Sequence, residues 1–315
     1  MTYSSGGLIQ ASDYNGFAGG NGGGANVSGQ LNTVLGTGYG NAGYGQTSVS
    51  NVSVAGSVTA AQWSTLVGGV NKVRSHQTAF TNLTLYTSGT TINATTDVGT
   101  NLTNSYTSRL SYQTLGSVTT GSDFTLNISS PNTAAAVTAS AERTATFGSG
   151  ADATRYFFNA GGELRFYISS YSNPGGTVRG STLGGCAVNG LGGKTFKAVD
   201  NSARYGTGYT VTTDLTTGAG YYSLTTSYVD KIKISGSAYG AVYSGDFVRI
   251  QAKSNGTQGS NADKGTIFYF NLTLNSAAQS PAFNDSINMT VTYRIDTAYP
   301  SSTYLSNTWG TVTIA

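Results

Sequence analysis

DFVRIQAK, residues 246–253, and TIFYFNLTLN, residues 266–275, decide the reading of this 315-residue chain. Val248, Ile250 and Ala252 alternate with Arg249, Gln251 and Lys253, and Phe268, Phe270, Leu272 and Leu274 alternate with Tyr269, Asn271 and Thr273. Period-two alternation marks a strand with one buried face. The signature recurs in SDFTLNIS, ELRFYIS, YYSLTTSYV, DKIKIS, INMTVTYRI and TWGTVTIA, separated by Gly, Asn, Asp and Ser. From about residue 115 onward the pattern is β. RYFFN and ELRFYIS, joined through Asn159-Ala160-Gly161-Gly162, read as a hairpin of two aromatic strands. Residues 173–203 read as a long glycine-rich excursion of the kind that carries contact surfaces. The predicted fold class is therefore mainly β: an antiparallel, sandwich-like body.

Ahead of that body lies a different segment. SVTAAQWSTLVGGVNKVRSHQTA, residues 57–79, reads as a helix: Thr59 offers a capping hydroxyl. Trp63, Leu66, Val67 and Val70 fall at i, i+3, i+4 and i+7. Gly68 and Gly69 weaken it by about 1 kcal/mol each, which predicts close approach by a neighbour. At an offset of 49 residues, 8–20 aligns weakly with 57–69, matching Ala11 with Ala60, Tyr14 with Trp63 and Phe17 with Leu66. In this first copy the helix breaks at GGNGGG and restarts at Ser28, with Leu31, Val34 and Leu35 apolar and Gly36 as a stop. GTGYGNAGYGQ follows as a glycine-rich loop and TSVSNVSVAGSV as strand or linker. A further helix is predicted over 96–112 from Val98, Leu102, Tyr106 and Leu110, with a strand pair as the alternative. The domain reading is an N-terminal helical, glycine-rich module at 1–80 and a β-rich body at 81–315, with a sub-boundary near 145.

Composition narrows function. Charged residues are 9% of the chain, against about 25% in ordinary soluble domains, while 21 Tyr and 12 Phe argue against disorder. Faces with so little charge repel one another weakly, so a partner copy is expected to cover part of the surface. The 16 basic and 13 acidic residues are scattered singly, which predicts no nucleic-acid groove. No stretch approaches the ~18 apolar residues of a membrane span.

The candidate chemical groups read as structural. His76 is the only histidine and closes a helix; Cys186 is the only cysteine and reads as an inert small residue. The acids stand mostly in turns, with no local pair suited to glycoside hydrolysis. NGLGGKTF lacks the first glycine of a phosphate loop, which falls on Val188. The expectation is no catalytic residue, cofactor or metal. Loop aromatics Tyr171, Tyr239, Tyr299 and Tyr304 are candidates for stacking on host-surface sugars, with plain packing the favoured role.

DYN, LNTVLGTGYGNAGYGQ and AGSVTAAQWSTLVGGVNKVRSHQT together resemble the N-terminal module of virion structural proteins of tailed phages that infect cyanobacteria. RYFFNAGGELRF and DFVRIQAKSNG…KGTIFYFNLTLN resemble the same family's β-body. The resemblance spans roughly 8–79, 153–169 and 245–275, and GGNGGG departs from the family's uninterrupted first helix. It implies a tail, baseplate, neck or fibre component, with capsid decoration or host-polysaccharide binding as alternatives. It also implies a homo-oligomer, a trimer by analogy with fibres, bound to other virion proteins. MTYSSGGLIQASDYNGF has no signal-peptide pattern, so synthesis in the host cytoplasm and residence in the virion are expected. The predicted docking residues are Tyr14, Phe17, Leu31, Leu35, Trp63, Leu66 and Val70.

Overall fold

The structure, a computed structural model, describes residues 10–20, 26–88, 94–131, 135–148, 150–199, 204–214, 220–235, 243, 245–256, 265–278 and 285–315. Helices α1 (Ala11–Ala18), α2 (Leu31–Val34), α3 (Ala60–Gln77) and α4 (Ala94–Thr107) form a cap. Eleven strands follow: β1 (Leu115–Thr119), β2 (Phe124–Ser130), β3 (Val137–Phe147), β4 (Glu163–Ser172), β5 (Gly193–Phe196), β6 (Thr210–Asp214), β7 (Val229–Ser235), β8 (Phe247–Ser254), β9 (Ile267–Ser276), β10 (Ile287–Pro300) and β11 (Val312–Ile314). Two more helices, α5 (Ala153–Asn159) and α6 (Val178–Gly185), interrupt them.

The strands make two antiparallel sheets. The first runs β1-β10-β4-β5, and the second runs β11-β3-β9-β8-β7-β6. β1 pairs with 297–300 of β10 and β2 with 287–293, both opposite β4. They therefore lie end to end, and in the gap Gly121 donates its N–H to Asp296 Oδ1 at 3.0 Å. The sheets face each other through aromatic rings: Phe166 of β4 and Phe196 of β5 lie 5.9 and 4.9 Å from Phe270 of β9. Val248, Ile250, Leu272, Leu274, Ile287, Met289 and Val291 are buried beside them, as their alternation requires. The mainly-β, sandwich-like fold read from the sequence is what the chain adopts.

Two sequence expectations are corrected. Residues 153–159 are not a hairpin strand but helix α5. Tyr, Phe and Phe favour strands locally, yet long-range bonds decide the outcome. Arg155 and Asn159, one helical turn apart, both reach Gly40 O, at 3.4 and 3.2 Å. Gly161, at φ 93°, then serves as a helix stop. The described part of the glycine-rich 173–203, residues 173–199, is likewise structured: α6, a π-helix at Cys186–Leu191 and then β5. Its glycines serve close packing, since a Cβ on Gly184 or Gly185 would collide with Tyr171 or Tyr209.

The helix expectations hold. Thr59 accepts from Gln62 N–H while Gln62 Oε1 accepts from Thr59 N–H at 2.8 Å, a reciprocal cap. The predicted 96–112 helix is α4, with Val98 and Leu102 buried, but it stops at Thr107, before Leu110 of the predicted stripe. α4 packs on α2 and α3, so the helical layer continues past residue 80.

The extended segment 47–56 joins no sheet. Asparagine side chains bond its backbone instead. Asn32 donates to Val49 O and accepts from Val49 N–H, both at 2.8 Å. Asn15 does the same with Val52, both at 2.8 Å; Asn71 binds Leu83, beyond α3, in the same way at 2.9 and 2.8 Å. An asparagine amide has the donor and acceptor of a peptide group, so each one acts as a single rung of ladder.

Candidate functional site

The seven residues expected to dock lie together, but facing inward. Tyr14, Leu31, Leu35, Trp63, Leu66 and Val70 are buried within the chain, and Phe17 is half-buried. Tyr14 and Phe17 set their rings 6.2 and 6.0 Å from Trp63. Tyr14 and Trp63, equivalent in the weak repeat, thus touch. Burying side chains of this size contributes about 1.5–3 kcal/mol each; in this fold they hold the cap together. A surface that meets partners must be built from other residues.

The cap joins the body through the glycine loop 36–46. Arg155 is fully buried and donates to Ala42 O at 2.7 Å, Thr37 O at 2.8 Å and Gly40 O at 3.4 Å. Asn159 adds Gly43 O at 3.0 Å, and Tyr222 donates to Gly40 O at 2.8 Å. Gly38 and Gly43 adopt φ 57° and 93°, which lets successive carbonyls converge on one guanidinium. On the other side Gln46 bonds both the N–H and the carbonyl of Ser306, at 2.7 and 2.9 Å. His76, at the end of α3, donates Nε2–H to Ala160 O at 3.1 Å. Burial pushes its pKa down to about 4, against the upward pull of that bond.

Arg179 does similar work at the far end. It is buried and donates to Ser276 Oγ at 2.6 Å and to the carbonyls of Ala277, Asp285 and Ala135 at 3.1–3.2 Å. Asp246 accepts from Ala277 N–H at 2.8 Å; burial raises its pKa to about 6, opposed by that bond and by Arg179. Cys186 is buried nearby, its thiol pushed up to about 12 by burial and then by Asp246, the opposite of a reactive thiolate. Lys194 of the failed phosphate-loop motif is a buried strand residue paired with Asp214, and it ties the first sheet to the second.

Several other acids are similarly engaged. Asp13 caps α1, Asp152 pairs with Arg155 at 3.2 Å, Asp230 with Arg249 at 3.5 Å, Glu142 with Lys253 at 3.7 Å and Asp296 with Arg294 at 3.0 Å. Glu163 holds Arg165 at 2.8 Å, Lys197 at 3.3 Å and the Tyr112 hydroxyl at 2.5 Å. Burial alone would raise its pKa, but these donors hold it below the usual range. No cluster that could hold a metal ion occurs among the described residues. Nor is any described helix long and apolar enough to cross a membrane.

Of the aromatics expected in loops, Tyr171 and Tyr299 lie instead on strands β4 and β10; Tyr171 and Tyr304 are exposed, whereas Tyr299 packs 5.9 Å from Phe157. Tyr239 falls outside the described residues, as do Asp200, Asp263 and the centre of GGNGGG.

The outer sheet faces carry neutral polar pairs. Thr138 donates to Asn275 Oδ1 and Thr290 to Asn127 Oδ1, both at 2.7 Å. Ser140 stands opposite Thr273, and Thr125 opposite Thr292. Comparison of the chain with family models, curated proteins and solved structures finds no match.

Proposed function

We propose that the protein is a structural component of a tailed-phage virion, working by assembly with copies of itself and with other particle proteins. The observation that carries this reading is the use of its ionisable groups. Asp13, Glu142, Asp152, Glu163, Asp214, Asp230, Asp246 and Asp296 all bind groups of the same chain, and the buried Arg155 and Arg179 collect backbone carbonyls. A carboxylate so committed is a poor general acid or base, because its proton affinity is set by its structural partner. Outward, the sheets carry threonine, serine and asparagine pairs such as Thr138–Asn275 and Thr290–Asn127 beside ion pairs closed within the chain, such as Arg249–Asp230 and Lys253–Glu142. Faces whose charges are already paired repel an identical copy weakly.

The virion assignment, and tail, baseplate, neck or fibre within it, rests on the motif resemblance. The trimer rests on analogy with fibres. The assembly part is tested by sedimentation equilibrium of the full chain at micromolar concentration. A homo-oligomer is expected, and a monomer throughout would overturn it.

A further inference from the structure

We propose that Ser223 and Lys231 form a nucleophile–base pair that makes Ser223 a site of acylation by activated carboxylic esters. This does not rest on the structural reading above.

The pair arises from a bulge. Asp230 pairs with Gln251 and Ile232 with Ile250, so Lys231 is the extra residue of β7. Lys231 and Ile232 are consecutive yet 1% and 0% exposed. Regular alternation would send one of them outward. The bulge therefore turns a lysine into the interior, and bulges commonly re-aim a side chain in this way. Among the described residues its one hydrogen-bond partner is Ser223 Oγ, at 3.5 Å, and the chain's ion pairs all use other cations.

An ammonium without a carboxylate is unfavourable in the interior by several kcal/mol. Burial accordingly pushes the Lys231 pKa down to about 8. The neutral amine that results is a proton acceptor, and lysine serves hydroxyl nucleophiles in this role on several unrelated folds. Such pairs are often loose before a substrate arrives.

Ser223 is placed to use it. It closes a 3₁₀ turn, Tyr221–Ser223, whose backbone is pinned by Tyr221 N–H to Lys197 O at 2.8 Å and Tyr222 N–H to Ala198 O at 3.0 Å. The serine is half-buried, and its hydroxyl lies 3.5 Å from the lysine Nζ. The hydroxyl now donates to Gly220 O at 2.8 Å, and rotation about Cβ–Oγ redirects it to Nζ. Neighbouring charged and titratable groups are engaged elsewhere. Asp230 binds Arg249 and Gln251, Lys233 lies 4.1 Å over the Phe247 ring and Lys197 pairs with Glu163. The hydroxyls of Tyr221 and Tyr222 donate to Gly265 O and Gly40 O.

In the reaction, Ser223 Oγ bonds to the ester carbonyl carbon as its proton passes to Lys231 Nζ. The bond from that carbon to the leaving oxygen breaks, and the leaving group departs as an alcohol with the proton from Nζ. The acyl group remains on Ser223.

The test treats the full chain with p-nitrophenyl acetate. It follows p-nitrophenol release and maps acetyl groups by peptide mass spectrometry after acid quench. Release by the native chain is expected at least tenfold above that of Ser223→Ala, rising with pH to a plateau with a midpoint near 8. Lys231→Met, folded by circular dichroism, should fall to the Ser223→Ala level at every pH. The proposal is overturned if native and Ser223→Ala chains release at the same rate, or if Lys231→Met keeps the native rate.

Discussion

Gly69 of α3 lies directly beneath Leu31 of α2: a Cβ placed on it would come within 2.5 Å of Leu31 Cδ2 and 3.3 Å of Leu35 Cδ2. The adjacent Gly68 would meet nothing within 4 Å. Two glycines side by side in one helix therefore have opposite meanings. Gly68→Ala should stabilise by about 1 kcal/mol, the helix-propensity difference. Gly69→Ala should destabilise by about 1–3 kcal/mol, because two leucines must shift. Urea unfolding of the two variants checks the sign of each, and equal effects would contradict the packing described.

Arg155 joins the cap to the body, so its removal should be costly. Arg155→Met leaves the carbonyls of Thr37, Gly40 and Ala42 short of a charged donor. A loss of about 3–5 kcal/mol is expected from breaking a buried charged network, read by urea denaturation. Limited proteolysis should then cut first within 36–46. Native resistance there would show that the guanidinium is dispensable to the loop.

His76 and Asp246 tilt acid stability in opposite directions. His76 has a folded pKa near 4 against 6.5, so its contribution is lost as pH falls between those values, by about 3 kcal/mol in all. Asp246 has a folded pKa near 6 against 3.8, so the folded state gains as pH falls through that window. Glu163, held low by Tyr112, Arg165 and Lys197, adds acid loss below the ordinary carboxylate range. His76→Gln should therefore become more stable from pH 6 to 4.5, whereas Asp246→Asn should lose stability faster than the native chain. Chemical denaturation at stepped pH measures both, and parallel profiles would contradict the assignment.

These opposing groups show where the sequence was readable. The strands were legible because Val248, Ile250 and Phe268 to Leu274 alternate, and because one buried face enforces that period. Helix α3 was legible from the Thr59 cap and the Trp63 to Val70 stripe. Helix α5 was not, because its cause is Gly40, more than a hundred residues away. The residues read as docking residues lie together in the interior of the chain. An apolar stripe states that something covers it, and here the cover was Leu31, Leu35, Val98 and Leu102 of the same chain. Lys231 carried no sequence signal, because a bulge depends on pairing register with β8.

Lys231→Met should stabilise the chain by about 3 kcal/mol at pH 7, since it removes a buried charge whose folded pKa is near 8 against 10.5. Below pH 8 both states hold the proton and the full cost persists. Between 8 and 10.5 the unfolded state binds more protons at this residue, so native stability gains with pH, whereas the variant lacks that gain and loses stability above pH 9 as the Cys186 thiol ionises in the unfolded chain alone. Guanidinium melts at pH 7 and 9.5 distinguish these cases. A variant less stable than the native chain at pH 7 would contradict the buried, unpaired state.

The proposed virion role is tested most directly by quantitative mass spectrometry of density-purified tailed-phage particles from a culture in which this chain is made. The proposal predicts peptides of this chain at a fixed, reproducible copy number per particle that survives washing. Recovery of the chain only in the particle-free lysate would contradict it.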